Sequence, residues 1–236
     1  MKTREIFESH EGRKITKLDH YFEAYDRHFE RFRGQPIKFL EIGAGNGGSA
    51  QMWKRYFGPE VTIVSIDINP YVTKFAEDRV HVRIGDQSDV KFLQSVIDEF
   101  GTFDIVLDDG SHQMEHLAAT FKYVYPRIAK NGVYMAEDLC CAYWPRYGGG
   151  LGRPGSFIEL SKALIDELNA QHVQEPNYER TEFTKTTVSM HFYDSIVVFE
   201  RGSTDLMKKV AKGRGDRGLR ADRSRRREQA RERVRS

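Results

Sequence analysis

Carboxylate side chains follow two apolar segments of the chain, in positions where they could hold a metal ion. Asp109 lies in the sequence DDGSH (residues 108–112), and Glu137 and Asp138 follow residues 133–136. Ionised carboxylates that share a partly buried cleft repel one another, so they require a cation between them. Ligand sets made only of oxygen favour Mg²⁺ or a similar hard ion. The sequence therefore predicts a divalent-metal site formed by Asp109, Glu137 and Asp138.

His112, three residues after Asp109, is the candidate general base of this site. An imidazole with its ordinary pKa near ~6.5 can accept a proton from a hydroxyl group at neutral pH. His112 and His116 also have the spacing of a zinc site on a helix, but no third soft ligand accompanies them. A loop histidine that only binds backbone is the structural alternative. Of the adjacent Asp108 and Asp109, we expect one to face the cleft and the other to anchor the turn.

A glycine-rich segment, EIGAGNGG (residues 41–48), is typical of a loop that binds a nucleoside cofactor. Gly43 and Gly45 allow a tight turn and the close approach of a ligand, which a Cβ atom would block. The same segment also fits the dinucleotide fingerprint, so a NAD-dependent oxidoreductase stays open as an alternative. Glu41, which precedes the first glycine, is a further candidate contact of the cofactor.

Carboxylates at the ends of the next two predicted strands favour S-adenosylmethionine (SAM) as that cofactor. Asp67, 26 residues after Glu41, is placed to accept hydrogen bonds from ribose hydroxyls. Asp86, with Gln87 beside it, lies one strand further on and could receive an adenine amino group. Ligands of open parallel sheets bind beyond the carboxyl ends of the strands, where all of these residues fall.

Apolar runs and helical spacings alternate along the chain, which favours an α/β fold with a mostly parallel, doubly wound, Rossmann-like sheet. Residues 1–35 form a predicted helical segment, and residues 36–202 form the predicted catalytic domain. One face of the predicted amino-terminal helix carries an aromatic series, Tyr21, Phe22, Tyr25, Phe29 and Phe32. The predicted strands are residues 37–42, 61–66, 81–84, 103–107 and 133–136, followed by a hairpin of residues 188–193 and 196–199. The predicted helices are residues 49–57, 90–100, 115–129 and 157–168.

Composition excludes several classes of protein. The 236 residues are 39% hydrophobic and 31% charged, and no apolar run approaches the ~20 residues of a membrane span. The chain's start lacks the apolar segment of a secretory signal. Cys140 and Cys141 are adjacent, which makes a poor structural disulfide. We therefore expect a cytoplasmic protein without a membrane partner.

Positive charge is concentrated at the carboxyl-terminal end of the sequence. Residues 203–236 hold 13 Lys and Arg against 5 Asp and Glu, a balance of +8, whereas residues 1–202 carry 24 against 30, a balance of −6. We expect this basic tail to be a flexible, solvated extension. A nucleic-acid-binding module that uses the tail is the third functional alternative, although nucleic acid is not the partner we favour.

The combination of these motifs resembles the metal-dependent sugar O-methyltransferases of macrolide and related natural-product pathways, the mycinamicin and rhamnosyl type, which are class I SAM-dependent enzymes. The resemblance spans roughly residues 15–200. Similar short chains are also labelled cephalosporin hydroxylases, but the two-His-one-carboxylate triad of iron oxygenases is not evident in the sequence. The motifs that carry the resemblance are LEIG (40–43), GGS (47–49), MW (52–53), YF (56–57), DINP (67–70), GDQSD (85–89), DDGSH (108–112), ED (137–138) and YW (143–144).

The resemblance implies a seven-stranded sheet with an antiparallel final hairpin, and an oligomeric enzyme that methylates a sugar hydroxyl. It implies the same metal ligands and the same base as above, with SAM contacts at Glu41, Gly43, Asp67 and Asp86, and a further one at Tyr56. The acceptor would be a small glycoside or a nucleotide sugar. We expect it to contact Tyr143, Trp144 and the glycine-rich loop of residues 148–154, which could act as a mobile lid.

Overall fold

The computed structural model describes residues 1–203 and 210–213, and in these residues seven strands form one sheet. The strands are β1 (Lys38–Ile42), β2 (Thr62–Asp67), β3 (Val80–Ile84), β4 (Ile105–Asp108), β5 (Val133–Ala136), β6 (Thr187–Tyr193) and β7 (Ile196–Arg201). Their order across the sheet is β3-β2-β1-β4-β5-β7-β6. Strands β1 to β5 are parallel, and β7 runs antiparallel to both β5 and β6. The predicted α/β class, the Rossmann-like parallel sheet and the antiparallel hairpin are confirmed.

Helices connect the parallel strands, and their ends follow local signals in the sequence. Asp89 accepts a hydrogen bond from the backbone N–H of Lys91 at 2.8 Å before α4, and Gly101, with φ of +77°, ends that helix. The helices of the described residues are α1 (Thr3–Glu8), α2 (Tyr21–Phe29), α3 (Gly48–Phe57), α4 (Val90–Phe100), α5 (Met114–Val124), α6 (Phe157–Asn169) and α7 (Glu182–Thr186).

The sheet is covered on both faces, as parallel sheets usually are. Helices α2 and α3 pack on one face, where Tyr25, Phe29 and Trp53 are fully buried. Helices α4, α5 and α6 pack on the other, around side chains such as Phe121 and Phe157. Every residue of β4 and β5 is buried. The ends of these central strands are therefore held firmly in position.

The amino-terminal segment contains more than the single helix face that its sequence suggests. The aromatic spacing correctly predicts α2, and the last aromatic of the series, Phe32, lies in a 3₁₀ turn (Glu30–Phe32). Residues 9–20, however, form turns and extended backbone between α1 and α2. These residues pass over the carboxyl ends of the central strands, where they contact the candidate site described below.

Three expectations from the sequence concern the basic tail, membrane-spanning segments and the cysteines. The basic tail lies outside the described residues, except for residue 203 and residues 210–213, which are exposed. In the described part of the chain, no helix combines the length and the apolar character that crossing a bilayer requires. The two cysteines are free thiols.

A polar cluster connects α2 to the terminal hairpin. The buried His28 on α2 contacts Glu200 Oε1 through Nδ1 and the Tyr193 hydroxyl through Nε2, both at 2.9 Å. Arg31 donates to Glu200 Oε1 at 3.1 Å, and the Ser189 hydroxyl donates to Oε2 at 3.0 Å. These hydrogen bonds, that of His28 first, lower the pKa of Glu200 to about 2.

This cluster predicts a pH-dependent contribution to stability. The folded-state pKa of Glu200 lies below its ordinary value of ~4.3, so the carboxylate stabilises the fold above that pH and loses its effect as the pH falls towards 2. We expect Glu200→Gln to lower the free energy of unfolding by about 1–2 kcal/mol at pH 7, with a smaller difference at pH 3.5. Urea unfolding at the two pH values measures this, with the exposed Glu60→Gln as control. An equal loss at both pH values would contradict it.

Candidate metal and cofactor site

The register of the central strands brings the predicted metal ligands together. Asp108, the last residue of β4, is paired with Ala136, the last residue of β5. The residues that follow, Asp109 and Glu137, therefore leave the sheet side by side, with Asp138 next in the chain. The structure thus places the three predicted ligands at the ends of two neighbouring strands, and the group of close ligand atoms consists of Asp109, Asp138 and His112.

A buried lysine lies between two of these carboxylates. Lys17, from the segment between α1 and α2, donates to Asp109 Oδ2 and to Glu137 Oε2, both at 2.6 Å. Its side chain is only 3% exposed. A buried ammonium is tolerated when carboxylates pair with it, and here it neutralises part of the negative charge. Sequence reasoning missed Lys17, because it lies 92 and 120 residues from its partners and belongs to no motif.

Two tyrosines on α2 orient the carboxylates from the other side. The Tyr25 hydroxyl donates to Glu137 Oε1, and the Tyr21 hydroxyl donates to Asp138 Oδ1 at 2.7 Å. Each tyrosine thus fixes one oxygen of its carboxylate. The second oxygen of Glu137 faces the cleft with Asp109, where Lys17 binds it.

His112 faces the same cleft. Its Nε2 lies 3.7 Å from Asp138 Oδ2, and its buried Nδ1 has no hydrogen-bond partner among the described residues. Ligand atoms of Asp109, His112 and Asp138 all lie within 4.8 Å of one another. His112 and Asp138 both adopt the left-handed conformation, with φ of +57° and +53°, which is uncommon outside glycine. The predicted base is therefore beside the predicted ligands.

Asp108 and Asp109 have different surroundings and therefore different roles. Asp108 is fully buried and accepts hydrogen bonds from the Tyr134 hydroxyl at 2.5 Å and from Gln87 Nε2 at 3.1 Å. Burial raises the pKa of Asp108 to about 7. Asp109 is partly exposed and faces the cleft. Burial also raises the pKa of Glu137, and the charge of Asp109 adds to this, while Lys17 opposes it.

Two cavities flank the glycine-rich loop. The first, of about 170 Å³, has apolar walls and carries the predicted Asp67 and Asp86. The second, of about 220 Å³, lies on the loop's other side and reaches Asp109. Gly43, Asp67 and Gly110 line both cavities. The first is lined by Ile42, Gly43, Ile66, Asp67, Ile68, Gly85, Asp86, Gln87, Gly110, Ser111 and His116; the second by Lys14, Ile15, Thr16, Lys17, Gly43, Ala44, Gly45, Asn46, Gly48, Ser49, Asp67, Asp109 and Gly110.

The two acidic residues of the first cavity are held by backbone donors. Asp67 Oδ2 accepts from the N–H groups of Ala44 and Gly45 at 3.0 and 3.2 Å. Asp86 accepts from the N–H and the hydroxyl of Ser88, both at 2.8 Å, which lowers the pKa of Asp86. Both carboxylates therefore have fixed positions at the wall of the cavity.

Glu41 and Gln87, two other predicted cofactor contacts, mainly form hydrogen bonds with protein groups. Glu41 is 1% exposed, and its carboxylate accepts hydrogen bonds from the hydroxyls of Ser49 and Ser65. It lines neither cavity, but it holds Ser49 in the wall of the second one. Gln87 touches the first cavity, yet its amide mainly joins strand ends, because Oε1 accepts from Ser111 N–H at 2.7 Å and Nε2 donates to Asp108.

Tyr56 is a correction to the predicted cofactor site. It lies in the last turn of α3, with its ring buried against Trp53 and Phe57. Its carbonyl accepts from Arg33, a residue that precedes β1, and is therefore near the amino ends of the strands. Gly48, at the opposite end of α3, lines the second cavity. The structure therefore places Tyr56 outside both cavities, which contradicts a cofactor contact there.

A second group of potential metal ligands, away from this cleft, has a structural explanation. His28, His191 and Glu200 have ligand atoms within 4.8 Å of one another. Both ring nitrogens of His28 already contact protein atoms, and Arg31 also binds Glu200. These contacts satisfy the group without an ion, so it connects α2 to the hairpin.

Comparison with known proteins identifies the family. Residues 40–139 match the family described as methyltransferase domain. The mycinamicin VI 2''-O-methyltransferase of Micromonospora griseorubida is 36% identical over 200 residues, which is 79% of this chain and 49% of the relative. The 8-demethyl-8-(2-methoxy-alpha-L-rhamnosyl)-tetracenomycin-C 3'-O-methyltransferase of Streptomyces olivaceus is 38% identical over 199 residues, or 78% and 50% of the two chains. The chain therefore belongs to the methyltransferases, and over most of its own length it is similar to these sugar O-methyltransferases.

A solved methyltransferase structure shows that the similarity also holds for the fold. The MycE methyltransferase from the mycinamycin biosynthetic pathway, in complex with Mg, SAH and mycinamycin VI, aligns with a TM-score of 0.81 and 31% identity. The alignment covers 95% of this chain and 59% of MycE. The chain spans about half the length of the curated relatives it matches.

The packing of the glycine-rich loop can be tested by substituting its glycines. A Cβ atom at Gly43 would lie 2.1 Å from the Asp109 carbonyl oxygen, and φ there is +93°. At Gly45, φ is +51° and nothing lies within 4 Å of that position. We expect Gly45→Ala to cost about 1–2 kcal/mol for its backbone conformation alone, and Gly43→Ala to cost about 1–3 kcal/mol more for the overlap. Chemical denaturation of both variants measures the difference, and equal stabilities would disprove it.

Proposed function

We propose that this chain transfers a methyl group from SAM to a sugar hydroxyl, with a divalent ion such as Mg²⁺ in the acidic cleft. The single observation that carries the proposal is the convergence of Asp109, Asp138 and His112 beside the two cavities of the glycine-rich loop, with Glu137 linked to Asp109 through Lys17. Family membership supports the reaction type, because the named relatives are O-methyltransferases.

The two cavities suit the two ends of the methyl donor. The isoleucine side chains of the first cavity provide an apolar surface for adenine, with Asp86 available to its amino group. Asp67, which lines both cavities, is suited to the ribose hydroxyls between them. The second cavity would then take the amino-acid end of SAM and direct its methyl group towards Asp109.

The donor set of the cleft fits a hard divalent ion. Asp109, Glu137 and Asp138 offer only oxygen ligands, which Mg²⁺ prefers. In this structure a cation, the Lys17 ammonium, already binds between two of them at 2.6 Å. Such an ion, when bound, supplies positive charge that lowers the pKa of a nearby hydroxyl group. The complex of MycE with Mg and SAH supports this assignment.

His112 is suited to remove the proton of the acceptor hydroxyl. Its buried Nδ1 has no partner among the described residues, and its Nε2 lies 3.7 Å from Asp138, so one imidazole nitrogen can accept a proton while the other faces a carboxylate. The acceptor oxygen then attacks the methyl carbon, the carbon–sulfur bond breaks, and its electron pair stays on sulfur. Alignment of donor and acceptor accounts for much of the acceleration.

Exposed aromatic side chains next to this base are suited to bind a sugar. Tyr143 and Trp144 are 48% and 41% exposed. Tyr147, whose ring lies 6.3 Å from that of His112, contacts Trp144 and is covered by Arg146. Aromatic rings with an apolar face and a polar edge are good surfaces for glycosides. The substrate class proposed is therefore a small glycoside or a nucleotide sugar, and a homo-oligomeric assembly stays a prediction.

The proposal favours SAM over NAD, and titration calorimetry tests this choice. We expect SAH to bind the chain and NAD not to bind, because the family and the paired cavities both suit a donor of one nucleoside. Asp109→Asn should retain SAH binding but weaken Mg²⁺ binding by about a hundredfold or more, since a ligand is lost and not merely its support. The exposed Asp98→Asn is the matched control. The absence of SAH binding by the folded chain would remove the proposal.

His112 gives a separate prediction about the chemical step. We expect His112→Asn to lower kcat for an accepting glycoside by about 10²–10⁴-fold, the usual contribution of a general base. The affinity for SAH should stay unchanged, because His112 lines neither cavity. Steady-state kinetics and calorimetry on one preparation separate the two effects. Unchanged kcat would show that another group takes the proton.

A further inference from the structure

An extended segment between α1 and α2 closes one side of the site. This amino-terminal strap (residues 13–17) is held at its first residue by α3 and its neighbours. The Arg13 N–H donates to Gln51 at 2.9 Å, and its guanidinium donates to the Gly47 carbonyl at 3.1 Å and to Glu77 at 3.0 Å. The Arg13 end of the strap is therefore fixed independently of the acidic cleft.

The middle of the strap lies directly on the glycine-rich loop. A Cβ atom at Gly48 would be 2.1 Å from the Arg13 carbonyl oxygen and 2.4 Å from that of Lys14, so backbone touches backbone there. Residues 14–17 form one wall of the second cavity, opposite Asp67 and Asp109. The strap therefore limits access to the cavity that we assign to the amino-acid end of the donor.

The other end of the strap is held by the Lys17 side chain. Lys17 is 3% exposed, and its ammonium donates to Asp109 and Glu137. Tyr25 already occupies Oε1 of Glu137, so Lys17 takes Oε2, the oxygen that is directed at the cleft. On Glu137, the oxygen that Lys17 binds is thus the one that remains for a metal ion, and on Asp109 Lys17 binds Oδ2.

A metal ion and the ammonium cannot share this position. A magnesium ion lies about 2.1 Å from its oxygen ligands, whereas Lys17 Nζ lies 2.6 Å from the same two oxygens. An ion bound to both oxygens would overlap the ammonium, and the two positive charges would repel each other. Binding of an ion to both of these oxygens therefore requires the ammonium to leave.

We propose that a divalent ion displaces Lys17 from Asp109 and Glu137 and frees the carboxyl-terminal end of the strap. The inference rests on the proposed function, because it takes Asp109 and Glu137 as metal ligands. Its consequence is an order of events: metal binding opens the second cavity at Lys17, while Arg13 keeps the other end of the strap attached. Lys17 is thus a positioning residue, because its release on metal binding opens the cavity that the methyl donor enters.

Chemical labelling of the wild-type chain tests the displacement without a mutation. An amine-reactive ester would modify lysines with chelator or with saturating Mg²⁺ at matched ionic strength, and mass spectrometry would quantify each site. We expect labelling of Lys17 to rise severalfold with Mg²⁺. Lys14, which is exposed on the same strap, should be labelled equally in both conditions. A Lys17 that stays protected while calorimetry detects bound Mg²⁺ overturns the inference but leaves the proposed function standing.

A pair of matched variants gives an independent measurement. Lys17→Met removes the competing cation and should raise the affinity for Mg²⁺ by about tenfold or more, since no buried ion pair must be broken first. Lys14→Met removes the same charge from the same strap and should leave the affinity close to that of the wild type. Equal affinities in all three chains overturn the inference. A failure of every chain to bind Mg²⁺ instead removes the metal from the proposed function, and the inference with it.

Discussion

The structure of the site depends on the burial of negative charge at the carboxyl edge of the sheet. Glu137 is 1% exposed, and Asp109 and Asp138 lie beside it. Carboxylates in this arrangement are stable only with positive charge or hydrogen-bond donors around them. Lys17, Tyr21 and Tyr25 supply these donors, so the amino-terminal segment and the strand ends form one electrostatic unit.

The parallel sheet explains why the carboxylates meet although they are distant in sequence. Adjacent parallel strands in register end at one edge, and the loops that follow point the same way. The burial of β4 and β5 on both faces leaves little freedom at those ends. The glycine-rich loop completes the arrangement, because only glycine at position 43 permits its approach to the Asp109 carbonyl.

Much of this could be predicted from local sequence, because strands and caps are local. The five parallel strands, the hairpin turn at Asp194 and Ser195, and the Asp89 cap follow from runs of a few residues. The convergence of Asp109 with Glu137 and Asp138 also follows, since it needs only strand order. Lys17 could not be found in this way, because its role depends on a contact across 120 residues that no spacing encodes.

The errors of sequence reasoning have a common physical origin. Tyr21 and Tyr25 were correctly assigned to a buried helix face, but apolar periodicity describes the rings and not the hydroxyls that bind Asp138 and Glu137. The family resemblance implies a cofactor contact at Tyr56, which is near the glycine-rich loop in sequence. A helix of ten residues such as α3 separates its two ends by about 15 Å, so its last turn lies far from the loop. Tyr56 is thus near the loop in sequence but far from it in space. Tyr21 and Tyr25, in contrast, are far in sequence from the carboxylates that they bind.

Two residues of the cleft have a strained backbone. His112 and Asp138 both adopt left-handed conformations, which cost of order 1–2 kcal/mol each for residues with a Cβ atom. Tyr21 helps to hold Asp138, because its hydroxyl donates to the carboxylate and accepts from the Asp138 N–H at 3.2 Å. Relaxation of either residue would turn its side chain away from the other, and the 3.7 Å approach of His112 to Asp138 would be lost. The fold thus maintains two unfavourable conformations at the positions where His112, the proposed base, and Asp138 face each other.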